Sequence, residues 1–251
     1  MKNKFYFNRP LSNLHLKPSG KSEVISQIIY GEKFSILKKN KEWIKIKLNF
    51  DNYIGYIKNK KFENAFEAEY KIKNLRTRIF FLKKKKYKQS DKYLYFGSKI
   101  RILNKKGDFY EFEKNKWINK ISVIEDQNIE KNYIKIFKLF LNIKYLWGGK
   151  SAAGIDCSAL IQIFFFNNNK FFPRDTKDQI KYSKAKTRKK FEKGDIIFWK
   201  GHVAICINSK ELIHAYGPRK KVLIMPIKRT IKLIEKTAKL KVKKICNIKQ
   251  F

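Results

Sequence analysis

The first half of the chain alternates apolar and polar residues in short runs. Trp43-Ile44-Lys45-Ile46-Lys47-Leu48 puts apolar side chains on one side and lysines on the other, the period-two pattern of a strand with one buried and one wet face. Runs at 24–30, 34–37 and 53–57 are also strand-like, and the Gly, Asn and Lys between them predict turns, so residues 14–62 are expected to be short strands. A weaker copy follows at 95–103, 108–112 and 116–118, with the same succession of Gly, strand, aromatic strand and Trp. That spacing suggests a repeated unit.

The pattern changes at Glu125-Asp126-Gln127-Asn128-Ile129-Glu130. After this polar, acidic stretch Tyr133, Ile136, Phe137 and Phe140 recur at helical spacing, predicting a helix with one apolar face and acidic residues ahead of its positive end. A second helix is predicted to start at Cys157, burying Leu160, Ile161 and Phe164 under a sheet. The runs at 196–199, 203–207 and 211–216 predict strands, the last two joined by a turn at Asn208-Ser209-Lys210. The chain is therefore expected to divide into residues 1–66, 67–125 and 126–251, with Lys83-Lys84-Lys85-Lys86 as a solvated loop or edge.

Composition narrows the class. With 251 residues, 43% of them hydrophobic, the chain has material for one large or two to three small cores. Lysines interrupt every apolar run before it reaches bilayer length. The first ten residues are basic but lack a continuous apolar segment, which predicts a protein that is not exported and works in the cytoplasm. Three cysteines suit a reducing compartment. No Cys/His cluster has zinc-ligand spacing, and no cofactor is expected.

The net charge of +39, from 60 Lys and Arg against 21 acidic residues, would attract any polyanion. The lysines are spread through every segment, however, as a coding bias would spread them over generic solvent positions. No specific nucleic-acid partner is expected, and a role in holding acidic fragments near a cleft stays open.

The candidate chemistry centres on Cys157, seated where a Gly-rich loop turns into a helix. Helix-start N–H groups and the helix dipole favour a thiolate and can hold an oxyanion, so a lowered thiol pKa is expected. His202, at the start of a strand, is the candidate base. His214 on the neighbouring strand is expected to accept its Nδ1 proton and fix its tautomer. Cys206 and Cys246 read as core residues, His15 as a surface residue and Asp195 as a turn residue. Arg174-Asp175 reads as a surface loop and helix cap, with Asp175 capping a helix that carries Gln179; the alternative for Arg174 is contact with a substrate carboxylate. Trp147 beside Gly148-Gly149 suggests an aromatic lid on a tight turn.

Five blocks occur in order: Tyr145-Leu146-Trp147-Gly148-Gly149, Gly154-Ile155-Asp156-Cys157-Ser158-Ala159-Leu160, Pro173-Arg174-Asp175-Thr176-Lys177-Asp178-Gln179, the run from Gly194 to Ile205, and Leu212-Ile213-His214-Ala215. Together they resemble the NlpC-type papain-like cysteine peptidases of bacterial cell-wall metabolism, over about the last half of the chain. The pattern at 14–62 resembles a bacterial SH3-like barrel. The implied fold class is α+β, a papain-like catalytic domain with the Cys helix packed on an antiparallel sheet, preceded by two small SH3-like β-barrels.

The resemblance implies Cys157 as nucleophile, His202 as general base and His214 as the orienting third member. It further implies that Tyr145 supports the oxyanion site and that Asp156 and Ser158 bind the free amino end of a short peptide. Ala159 departs from the family's usual glycine, and one added methyl in a helix is expected to be tolerated. The implied substrates are peptidoglycan-derived peptides, cut between γ-D-glutamate and a diamino acid during wall recycling. The alternatives are a basic polymer-binding protein with a relic catalytic half, and an acyltransferase or amidase using the same triad. The sequence leaves the diamino acid and the oligomeric state open.

Overall fold

A computed structural model describes residues 4–186 and 190–251 and divides the chain into two compact units. One comprises residues 1–130 with 166–170, the other 131–165 with 171–251.

The first unit is β structure. Its seven-stranded sheet runs in the order Val24–Ile29, Leu11–His15, Ile54–Lys58, Trp43–Leu48, Lys33–Lys39, Lys4–Tyr6, Glu63–Asn64. In Trp43–Leu48 the side chains of Ile44, Ile46 and Leu48 are buried while Lys45 and Lys47 are half-buried, as the alternation requires, and Trp43, on the lysine face, is buried against His15 and Lys58. Phe7, Leu14, Ile28, Phe34, Ile44, Ile46, Leu48 and Ile57 fill one core. His15 is half-buried there, its Nδ1 3.1 Å from the Ser22 carbonyl and its ring edge-on to Trp43.

Residues 70–125 form a five-stranded and a three-stranded sheet around Ile72, Ile79, Leu94, Ile100, Phe112 and Ile118. Tyr6 and Tyr30 of the first sheet enter this second core, and both phenols reach Glu113, at 3.5 and 3.1 Å. The lysine run is the turn of the Arg76–Lys83 and Lys86–Tyr95 hairpin. Lys84 and Lys85 take φ of 47° and 61°, the left-handed pair that a tight two-residue hairpin turn needs.

Asp126 is not spent on a helix end. It pairs with Lys99 beside the fully buried Lys71, whose ammonium donates to the carbonyls of Asp126 (2.9 Å), Asn128 (2.7 Å) and Asn167. Burial lowers Lys71 to about 8, and three carbonyl acceptors compensate for the lost water. Helix α1 (Tyr133–Leu139) is capped instead by Asn132, whose side chain accepts from the Lys135 N–H at 3.4 Å.

The second unit holds α1, α2 (Cys157–Asn167, up to Phe165), α3 (Thr176–Tyr182) and α4 (Ile227–Ala238) with a five-stranded antiparallel sheet. The strand order is Lys221–Pro226, Glu211–Tyr216, His202–Cys206, Asp195–Trp199, Lys244–Asn247. Asp195–Trp199 is buried on both faces, hence its continuous apolar run. Helix α2 is apolar nearly all round and almost wholly buried, whereas α4 buries only Ile227, Thr230 and Ile234. Cys206 and Cys246 are core residues. Asp195 is buried as well, held by Lys186 at 2.7 Å and Asn247 at 2.9 Å. Among the described residues no helix is long and apolar enough to cross a membrane.

Candidate active site

The seat of Cys157, the candidate nucleophile, is built by the loop before α2. Tyr145 forms a β-bridge with Ile155, and the ribbon Lys150–Ser151 with Gly154–Ile155 folds the loop back on itself. A Cβ on Gly149 would lie 2.4 Å from the Gly154 carbonyl, so the turn closes only around glycine. Asp156 then caps α2, accepting from the Ala159 N–H at 2.8 Å and the Ser158 hydroxyl at 3.1 Å. Cys157 is left in the first turn, where backbone N–H groups lack helical partners.

The Cys157 thiol is buried, 5% exposed, and its sulfur receives hydrogen bonds from the Val203 N–H and the Thr176 hydroxyl. Burial pushes the thiol up to about 12, the Asp156 charge adds to this, and the two donors oppose it. This corrects the expected lowering: loss of solvent outweighs the helix start in the resting site.

His202 precedes Val203, so the sulfur lies against the start of the histidine strand. Two cross-strand registers set the imidazole. Trp199 is paired with His202, and Ile205 with Ile213; continuing the second register puts His202 and His214 on one face as diagonal neighbours. The His202 Nε2 lies 2.9 Å from the His214 Nδ1. It is therefore Nε2, and not the expected Nδ1, of His202 that faces His214. Trp199 and Tyr216 flank the ring at centroid distances of 5.5 and 5.7 Å, and Tyr216 stacks on His214 at 4.7 Å.

Burial lowers His202 to about 4. It also lowers His214 to about 3, with the neighbouring His202 adding to the effect. At neutral pH the site thus holds a thiol and uncharged imidazoles.

Asp156 is the hub of a second network. Arg174 reaches it with two bonds, Nη1 to Oδ1 at 3.0 Å and Nη2 to Oδ2 at 2.7 Å, and also donates to the Ser158 hydroxyl at 2.9 Å. The Gly148 N–H donates to Asp156 Oδ2 at 3.0 Å. Arg174 is 2% exposed, which corrects both its placement in a surface loop and the alternative of a substrate carboxylate: the guanidinium is committed to Asp156. Asp175 stands at the N-terminus of α3, but its carboxylate makes no capping bond.

A cavity of about 480 Å³ opens beside His202, walled by Tyr145, Tyr216, Pro218, Leu233 and Leu240. Burial and the nearby Cys157 and Asp156 raise the Tyr145 phenol, keeping it protonated as a donor. Trp147 is 59% exposed in its turn and does not line this cavity.

The structure thus brings Asp156, Ser158 and Arg174 together beside Cys157 at the start of α2 and pairs His202 with His214; Tyr145 and His202 share the cavity wall, and Trp147 does not line it. Sequence reading missed Thr176, the Val203 N–H, Trp199, Tyr216 and Met225. Tyr216 was accessible in principle, since it lies two positions beyond His214 and strand alternation puts the two on one face. The Thr176 contact has no signal in spacing.

A buried thiol at a helix start, bonded by the backbone N–H that follows His202, and two imidazoles paired on an antiparallel sheet are arranged as in a papain-like fold. Residues 142–237 match the NlpC/P60 family and residues 14–62 the bacterial dipeptidyl-peptidase Sh3 domain. The chain thus carries an NlpC/P60 domain and, ahead of it, a bacterial dipeptidyl-peptidase SH3 domain, and it is a peptidase-type hydrolase.

It is 22% identical to the gamma-D-glutamyl-L-lysine dipeptidyl-peptidase of Bacillus subtilis, over 82% of this chain and 77% of that protein. It is 24% identical to dipeptidyl-peptidase 6 of Lysinibacillus sphaericus, over 82% and 84%. The crystal structure of an NlpC/P60 family protein from Bacillus cereus shares the fold with a TM-score of 0.76, at 18% identity over 89% of this chain and 94% of that one.

Proposed function

We propose that the protein hydrolyses the γ-D-glutamyl bond to a diamino acid in short peptidoglycan-derived peptides with a free L-alanine amino end, in cytoplasmic recycling of wall peptides. The observation that carries the reading is the Val203 N–H on the sulfur of Cys157, which sets the nucleophile beside an imidazole backed by His214. The relatives that match over most of both chains are named as dipeptidyl-peptidases, two of them for γ-D-glutamyl-L-lysine.

The Cys157 sulfur attacks the carbonyl carbon while His202 Nδ1 takes the thiol proton. The oxyanion is met by first-turn N–H groups and the Tyr145 phenol. His202 returns the proton to the leaving amine, and water, deprotonated by the same ring, hydrolyses the thioester. Asp156, whose carboxylate is fixed by Arg174, Ser158 and the Gly148 and Ala159 N–H groups, supplies a preorganised negative pole for the ammonium end.

Incubation with L-Ala-γ-D-Glu-L-Lys and its meso-diaminopimelate analogue, read by mass spectrometry, should release the dipeptide and the free diamino acid. Cys157→Ala should reduce this to background, and N-acetylation of the substrate should slow it about tenfold or more, the weight of one charge-assisted contact. Cleavage indifferent to acetylation removes the amino-end requirement. Transfer to an added amine in preference to water replaces hydrolase by acyltransferase.

A further inference from the structure

Beyond the two catalytic imidazoles lies a side chain that no catalytic role has absorbed. Met225, on the Lys221–Pro226 strand, places its Sδ 3.4 Å from the Nε2 of His214. The register pairs His214 with Leu223, so Met225 is two residues along on the same face, within diagonal reach of a long side chain. It is 9% exposed and packs in the core of the second unit with Trp199 and Tyr216.

A thioether sulfur has no proton to give and can only accept. The contact therefore exists only when His214 carries its proton on Nε2. A neutral imidazole with Nε2–H has a bare Nδ1, and that nitrogen lies 2.9 Å from His202 Nε2. This contact in turn requires His202 to carry its proton on Nε2, which leaves the lone pair on Nδ1. The opposite tautomer of His214 would present an Nδ1–H to His202, put the His202 proton on Nδ1 and leave no base for the thiol. In the imidazolium formed after proton transfer it would also oppose two N–H groups across the same contact.

We infer that Met225 is a positioning residue that selects the Nε2–H tautomer of His214, and through it the basic Nδ1 of His202. The inference rests on the reading of Cys157, His202 and His214 as the catalytic set. It concerns a residue outside that set, acting by acceptance alone. Tyr216, stacked on His214 at an interplanar angle of 11°, holds the ring so that both nitrogens keep their partners.

The chain contains two methionines, Met1 and Met225, so biosynthetic replacement of methionine by norleucine removes the sulfur at this site while keeping the shape of the side chain. Replacement by selenomethionine keeps an acceptor and serves as the rescue. With three histidines in all, long-range nitrogen–proton NMR correlation resolves the tautomer of each ring.

The native and selenomethionine proteins should show His214 as Nε2–H and His202 as Nε2–H. The norleucine protein should show His214 as a mixture, with kcat reduced about fivefold, the worth of one modest hydrogen bond, and KM unchanged. Met225→Leu should reproduce the result. A norleucine protein whose His214 stays wholly Nε2–H, or whose tautomer changes with no change in kcat, overturns the inference. The NMR readout needs no substrate, so an error in the proposed peptide would leave the tautomer result standing and separate the two failures.

Discussion

Two buried polar networks meet at Cys157, and they are held together by opposite means. On the helix side, Asp156 and Arg174 are charged, their side chains 8% and 1% exposed, and the carboxylate collects hydrogen bonds from Arg174, Ser158, Gly148 and Ala159. On the strand side, His202, His214 and Met225 form a chain that burial keeps uncharged. A buried charge tolerates no missing partner, because desolvation has already been suffered and only the pairing offsets it. A neutral imidazole chain tolerates loss more easily in stability, but its function depends on where each proton sits. The first network is thus held by charge pairing, the second by the placement of its protons.

The sharpest way to break that contrast is Arg174→Met. It should strand the Asp156 charge and destabilise the protein by about 3–5 kcal/mol in denaturant unfolding, while the double variant with Asp156→Asn recovers most of the loss. A cost near that of an exposed ion pair, about 1 kcal/mol or less, would erase the distinction.

The strand side should announce itself through pH. Both histidines have folded-state values below the ordinary value of 6.5, so below pH 6.5 the unfolded chain takes up protons that the folded chain refuses. Stability should therefore fall as pH drops from 6.5 toward 3 and be insensitive to these groups above 6.5. Tm measured across pH 7 to 4 should fall less steeply in a His202→Gln, His214→Gln double variant than in the native protein. If the two slopes coincide, the imidazoles are not buried neutral. The acid limb of kcat/KM should likewise sit near 4, where free His202 protonates.

The smallest expected effect lies where the networks touch the sulfur. Thr176→Val removes the hydroxyl that donates to Cys157 and should slow alkylation by iodoacetamide about threefold to tenfold at neutral pH with unchanged Tm. Equal rates would show that the Val203 N–H alone sustains the thiol.

Much of this was legible from residue order. The alternation in Trp43–Leu48, the helical face of Tyr133, Ile136 and Phe137, and the start of α2 at Cys157 are local patterns, and each is found as read. The triad candidates could be named because each sits at a strand or helix start with a distinctive neighbourhood. What escaped was contact between side chains far apart in sequence. Arg174 looked free for solvent or a substrate because its partner, Asp156, lies 18 residues away. Asp126 looked like a helix-start charge because nothing nearby in sequence announces Lys99. The Nδ1 of His202 looked turned toward His214 because ring orientation is set by packing against Trp199 and Tyr216.

Sequence by itself determined the main strand and helix segments and where the candidate thiol and the two imidazoles lie in the chain. These follow from periodicity and local backbone chemistry, which act over a few residues. Tertiary structure alone decided which nitrogen faces which, that Arg174 is committed to Asp156, and that the thiol is raised in the resting site. Those outcomes depend on distances and solvent exclusion between groups brought together only when the sheet closes over the helix.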